Sequence, residues 1–144
     1  MIESGLQKRI AAVSLFCILL LSGLHFGASA FYWYVSIPWY DMMMHTLGGV
    51  FLAVFTAAFF YRHIMELNRY ETVVTLLLAV LVVGGAWEYF EYVVQYVVKG
   101  SMTLATFPDS VSDIVLDMVG GAIGTYFVLQ QKKRYNATNG YDIE

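Results

Sequence analysis

Four runs of apolar residues, each long enough to cross the roughly 30 Å of hydrocarbon in a bilayer, constrain this chain more than any other feature. They fall near residues 10–34, 41–61, 72–98 and 110–131, joined by short connections around SIPWY, RHIMELNRYE and KGSMTLATFPD. In lipid a segment has to satisfy its own backbone N–H and C=O groups, so runs of this length are read as helices. The expected fold class is all-α integral membrane, a four-transmembrane-helix bundle. It forms one domain over residues 1–134, with a polar cytoplasmic tail over 135–144. Composition argues against a soluble alternative. Of 144 residues, 59% are hydrophobic and 13% charged, against about 25% charged in an ordinary soluble domain, and so small a soluble core could not hide the excess. The lipid bilayer is the partner to expect, and nucleic acid is not. Cys17 is the single cysteine, so no intrachain disulfide forms.

The first run has some features of a signal peptide, with Lys8 and Arg9 ahead of it and Ala28-Ser29-Ala30 behind. Its apolar stretch of about 18 residues exceeds the 7–15 of an h-region, and it reads as an uncleaved helix. Basic residues orient the bundle. Lys8, Arg9, Arg62, Arg69, Lys132, Lys133 and Arg134 share one side, and Lys99 stands alone on the other. Both termini are expected in the cytoplasm of a bacterium, with the protein in the inner membrane. Tyr32, Trp33, Tyr34, Trp39 and Tyr40 then make an outer aromatic belt.

With this orientation the acidic residues gather at one depth. Asp109, Asp113 and Asp117 descend from the outer surface on the fourth run, Asp41 and His45 open the second, and Glu88 and Glu91 lie in the outer half of the third. His25 lies in the outer half of the first. Spacings of three and four put each group on one helical face. A carboxylate at mid-membrane costs roughly 2.5–3.5 kcal/mol on the gentler insertion scale, and the basic residues are at the wrong end to pair with these. Bound metal, bound protons or a water-filled cavity would compensate, and metal also accounts for histidine. Oxygen-rich sites with imidazole suit manganese, iron, zinc or magnesium, and helix pairs at such spacings build two-metal carboxylate sites in bundles. The candidate ligands to one or two divalent ions are Asp41, His45, Glu88, Glu91, Asp113 and Asp117. His25 and Asp109 are weaker candidates, because a histidine also packs and an aspartate at a helix start also caps. Met42, Met43 and Met44 face different sides of a helix and read as packing, and His63 as surface.

DMMMHTLGGVF (41–51) and DIVLDMVGGAI (113–123) share a pattern. Each reads Asp, three apolar residues, a ligand-type residue, two apolar residues, Gly-Gly and two more apolar residues. His45 corresponds to Asp117. The match suggests two parallel helical-hairpin repeats related by an axis along the membrane normal. Gly48, Gly49, Gly120, Gly121 and Gly124 suit close helix approach, which would bring the second and fourth runs together just below the acids.

These residues resemble the VanZ-like family of small bacterial membrane proteins through Asp41-x-x-x-His45, an acidic residue on the third span and Asp113-x-x-x-Asp117-x-x-Gly120. They also resemble an inner-membrane family of the YjdF type through Trp87-Glu88-Tyr89-Phe90-Glu91 and the acidic start of the last span. VanZ-like proteins usually carry Asn where this chain has Asp117, and often Glu-x-x-Gln where it has Glu88 and Glu91, so this version is more acidic. The VanZ-like resemblance implies an association with glycopeptide-antibiotic tolerance for some members and no particular chemistry.

Three functions fit. A metal-dependent membrane hydrolase or di-metal oxidase would act on a lipid-like or lipid-linked substrate from the outer leaflet. A divalent-cation or proton transport protein would use the acids as a pathway, although the inner halves of the spans carry few polar residues, and a homo-oligomer would then be needed. A non-catalytic accessory protein would use the cluster only to hold the bundle.

Overall fold

The computed structural model describes residues 5–99 and 107–139, and every regular element among them is helical. Helix α1 covers Gly5–Phe31, α2 Trp33–Ser36, α3 Tyr40–Phe59, α4 Tyr61–Glu66, α5 Arg69–Lys99 and α6 Phe107–Asn139. Four of them, α1, α3, α5 and α6, are long and apolar enough to cross a membrane. This is the four-span helical bundle expected from the apolar runs. Residues 100–106, most of the KGSMTLATFPD connection, and the tail beyond Asn139 lie outside the described residues.

The central pair is α3 and α6, which run parallel and touch backbone to backbone. A Cβ added to Gly49 would lie 2.0 Å from the Asp117 carbonyl oxygen, and one added to Gly120 would lie 1.9 Å from that of Thr46. One turn on from Gly120, Gly124 meets Val50 and Ala53 in the same way. In lipid, helices gain little from burying apolar surface, so association depends on close packing of small residues. Of the five glycines expected to allow that approach, Gly49, Gly120 and Gly124 do so here, whereas a Cβ at Gly121 would meet Val80 of α5 and one at Gly48 would make only ordinary contact with the Asp117 side chain. Helix α1 packs on α3, and α5 packs on both α6 and α3. The outward faces carry Phe16, Leu19, Phe55, Leu78, Val82, Val115 and Ile123, all exposed, as helices solvated by acyl chains require.

At the end of the bundle that holds the basic residues, the interior is closed. Ile10, Val54, Ala57, Ile64, Leu76 and Val128 are all 1% exposed or less. The RHIMELNRYE connection is more ordered than a loop. Tyr61 and Ile64 of α4 are buried, while His63 is exposed as expected. A reciprocal capping box starts α5: the Glu71 N–H donates to Asn68 Oδ1 at 2.9 Å, and the Asn68 N–H donates to Glu71 Oε2 at 2.8 Å. The Lys132 ammonium donates to the Ile64 carbonyl at 2.8 Å and to the Leu67 carbonyl, satisfying the last carbonyls of α4. Helix α6 runs on to Asn139, into the stretch read as a polar tail, and Tyr135 packs against this core.

At the opposite end, α1 stops at Tyr32, whose φ of 57° is left-handed. Its carbonyl accepts from the Val35 and Ser36 N–H groups and starts the short α2. Of the aromatic belt expected there, Tyr32 and Trp39 are exposed, but Tyr40 is only 3% exposed. Its hydroxyl donates to the Leu24 carbonyl at 2.9 Å, tying α3 to α1. Tyr40 is an interior residue because its ring packs edge-on against Tyr34 at 5.2 Å between centroids.

Candidate metal centre

Three helices bring their acidic faces to one histidine. On α3, Asp41 lies in the first turn and His45 one turn further, so both side chains share a face. On α6, Asp113 and Asp117 repeat that spacing, and the glycine contact just beyond them holds α6 against α3. Glu88 reaches the same point from α5.

The His45 ring is the hub. Its Nε2 lies 4.0 Å from Asp41 Oδ1, 3.9 Å from Glu88 Oε1 and 3.9 Å from Asp113 Oδ2. Its Nδ1 lies 3.4 Å from Asp117 Oδ1. The two ring nitrogens point away from each other, so the four carboxylates divide into three around Nε2 and one at Nδ1. The side chains of Glu88, Asp113 and Asp117 are each less than a tenth exposed, whereas that of Asp41 is 53% exposed. Asp41 is thus the open side of an otherwise buried group.

Glu88 is the most informative member. Its Oε1 is fully buried and has no hydrogen-bond partner among the described residues, yet it faces His45 Nε2. A buried polar atom left without a partner costs about 1–3 kcal/mol, more when charged. Such an atom calls for something to bind it.

The geometry fits a cation. Ligand atoms of Asp41, His45 and Asp113 lie within 4.8 Å of one another. A shared ion at about 2.1 Å from each ligand implies ligand–ligand separations of about 3.0–3.5 Å. The observed 3.9–4.0 Å from Nε2 to the three carboxylates is about half an ångström wider, and Glu88 falls outside the group of three whose ligand atoms lie within 4.8 Å of one another. One imidazole with three carboxylates is a borderline-to-hard donor set suited to zinc, manganese or iron.

The other candidates lie around this group. Glu91 is half-buried and within electrostatic reach of Glu88, His45 and Asp41. Asp109 is exposed in the first turn of α6, and its carbonyl accepts a hydrogen bond from the Ser112 hydroxyl at 2.7 Å. His25 is exposed on α1, and its Nδ1 is 3.0 Å from the Tyr34 hydroxyl. Neither Asp109 nor His25 approaches His45 in the way the other acids do. Burial raises the Tyr34 hydroxyl above its usual pKa, with Asp41, Tyr40 and Glu91 adding to the effect. Tyr34 therefore stands at the rim of the site, and sequence reasoning placed it only in the belt. Gly84 was also missed. A Cβ there would meet Asp117 Oδ2 at 2.6 Å, so the absent side chain makes room for that carboxylate. Its position one turn before Glu88 on the same helix face was the available signal.

In comparison with known proteins, the model of the family described as "Predicted membrane protein (DUF2238)" aligns with residues 2–134. No curated protein matches, and no solved structure does.

Proposed function

We propose a function for a chain that belongs to the DUF2238 family of predicted membrane proteins: it holds a divalent metal ion at His45 Nε2 with Asp41, Glu88 and Asp113, and uses it to hydrolyse a lipid-like or lipid-linked substrate. The observation that carries this reading is the buried, unpartnered Glu88 Oε1 directed with Asp41 and Asp113 at one imidazole nitrogen. An ion there would offset the repulsion of the acids, act as a Lewis acid on a phosphoryl or carbonyl oxygen and make a water nucleophilic near neutral pH. Water would add across the ester bond, the hydroxyl to phosphorus or carbon and the proton to the departing oxygen.

The half-exposed Asp41 supports access from its own end of the bundle. By the distribution of basic residues that end is the outer face of a bacterial inner membrane, with both termini in the cytoplasm. The substrate would therefore be an amphiphile presented by the outer leaflet. The resemblances to the VanZ-like and YjdF-type families agree with a small inner-membrane protein acting at that face. Transport is the weaker reading. From Asp117 toward the opposite end the interior passes Val80, Leu76 and Val128, each 0% exposed, and the buried polar side chains there among the described residues are the hydroxyls of Ser14, Thr72 and Thr125, with no ionisable group among them.

Metal content by mass spectrometry tests the site, on protein purified without chelator beside a Glu88→Gln, Asp113→Asn variant. The expected result is one ion in the parent and none in the folded variant. Loaded protein should then release phosphate from a polyprenyl phosphate in mixed micelles. No metal in a folded parent refutes the reading. Tight metal without turnover refutes hydrolysis of that substrate and leaves a binding protein.

A further inference from the structure

Asp117 contributes one of the four carboxylates around His45, yet it cannot share an ion with the other three. It meets Nδ1, while they surround Nε2 on the far side of the ring. We infer that Asp117 is not a metal ligand but the positioning residue that accepts the Nδ1–H hydrogen bond of His45, and that the site therefore takes one ion rather than two. The inference rests on the metal reading given above.

The chemistry requires such a group. A neutral imidazole carries its proton on one nitrogen and a lone pair on the other, and the hydrogen bond made by the first decides which is which. A carboxylate at Nδ1 keeps the proton there, leaves the Nε2 lone pair free and fixes the rotation of the ring. Metal-binding histidines generally have such an outer partner, whose loss costs 10–100-fold in affinity. The 3.4 Å between Nδ1 and Oδ1 is slightly longer than a well-formed hydrogen bond, and a small tilt of the ring closes it.

The surroundings of Asp117 are built to hold the carboxylate in this role. It lies buried at the α3–α6 contact. A Cβ at Gly48 would approach Oδ1 to 3.7 Å, and one at Gly84 would meet Oδ2 at 2.6 Å. The contact at Gly48 is an ordinary one, whereas only a glycine at position 84 of α5 leaves room for the carboxylate. The nearest oxygens of Glu88 and Asp113 face Nε2, the other ring nitrogen. Sequence reasoning placed Asp117 among the candidate ligands with Asp41, Glu88 and Asp113, and ring orientation divides these four.

The test is cobalt(II) binding to the full chain in detergent, followed by d–d absorption and by competition with a metal-binding dye. Parent protein should take up one Co²⁺. Asp117→Leu should bind one Co²⁺ about 10–100-fold more weakly with the d–d band shape unchanged, because the ligand atoms are unchanged. Asp117→Asn, which keeps an acceptor oxygen, should recover part of the loss. Gly84→Ala leaves every ligand in place and displaces only the Asp117 carboxylate, so it should reproduce the weakening if Asp117→Leu fails to fold. Two ions in the parent, or a changed band shape in Asp117→Leu, would make Asp117 a ligand and overturn the inference. Unchanged affinity in both Asp117→Leu and Gly84→Ala would overturn it too, leaving the metal reading intact. A parent that binds no Co²⁺ overturns both.

Discussion

Replacing Gly49 and Gly120 by alanine should push the two central helices apart and dismantle the site without touching a single acid. The added methyl groups would fall 2.0 Å from the Asp117 carbonyl oxygen and 1.9 Å from that of Thr46, both backbone atoms that no rotamer change can move. Restoring a tolerable 3.0 Å separation requires α3 and α6 to part by about 1 Å at their crossing. A gap of that size forfeits about a quarter to a half of the dispersion energy of each contact across it. Helices in lipid have little hydrophobic gain in reserve to compensate, so the cost should reach at least the upper end of the overpacking range, about 3 kcal/mol. His45 lies one turn from Gly49 on the same face, so its 3.4 Å contact with Asp117 should open as well.

Reversible unfolding in mixed micelles, followed by circular dichroism, measures the loss. The controls are Gly23→Ala and Gly85→Ala, where an added Cβ meets nothing within 4 Å. There the gain in helix propensity, about 0.8–1.0 kcal/mol, should appear as neutral or increased stability. A double Gly49→Ala, Gly120→Ala variant as stable as these controls would refute the backbone contact between α3 and α6, and with it the argument that this contact assembles the site.

Two further outcomes follow from contacts away from the crossing. Lys132→Met removes the ammonium that donates to the Ile64 and Leu67 carbonyls; hydrogen bonds to charged groups contribute about 1.5–3 kcal/mol, so amide exchange in α4 should quicken by about tenfold or more, and unchanged exchange would reject the staple. Tyr34 should ionise above its usual pKa of 10.0 because of burial and the nearby Asp41, Tyr40 and Glu91; as the folded-state value is the higher one, the stability it contributes is complete below pH 10.0 and is lost as pH rises through the folded value. An ultraviolet tyrosinate titration of the parent minus Tyr34→Phe reads that midpoint directly, and a midpoint at or below 10.0 would remove Tyr34 from the rim of the site.

The spans were legible because length and apolarity are what the bilayer demands of a helix, whatever it packs against. Their partners were much less so. In water the buried stripe of a helix announces itself by contrast with a polar face, but here Leu78 and Val82 on the lipid side are as apolar as Leu76 and Val80 in the core. Only features that lipid does not favour carried contact information, namely the glycines and the acids. Both pointed to α3 and α6. The short α4 was hidden inside a connection rich in charge, although Asn68-Arg69-Tyr70-Glu71 is a capping-box spacing. The extension of α6 past Arg134 depends on Tyr135 reaching the α1–α4 core, a tertiary contact with no local sign.

For the site, sequence spacing could assign depth and helix face but not direction around the bundle. His25 shares the depth of the acids, yet it sits exposed on α1 against Tyr34, because equal depth on a neighbouring helix does not mean a shared interior. Glu88, Asp113 and His25 were singled out for one reason, that all three interrupt apolar runs, and only Glu88 and Asp113 come within 4 Å of His45. What separated them was contact with His45, and that depends on how α5 and α6 are rotated about their own axes. The division between the two faces of the imidazole lies one level deeper still. It is set by a ring torsion, which leaves no pattern in the chain, and by the missing side chain at Gly84, whose only sign is its place one turn before Glu88. An acid-rich membrane sequence can therefore indicate a candidate site and its depth along the membrane normal, while which acid meets which nitrogen of the hub histidine follows only once the helices are packed.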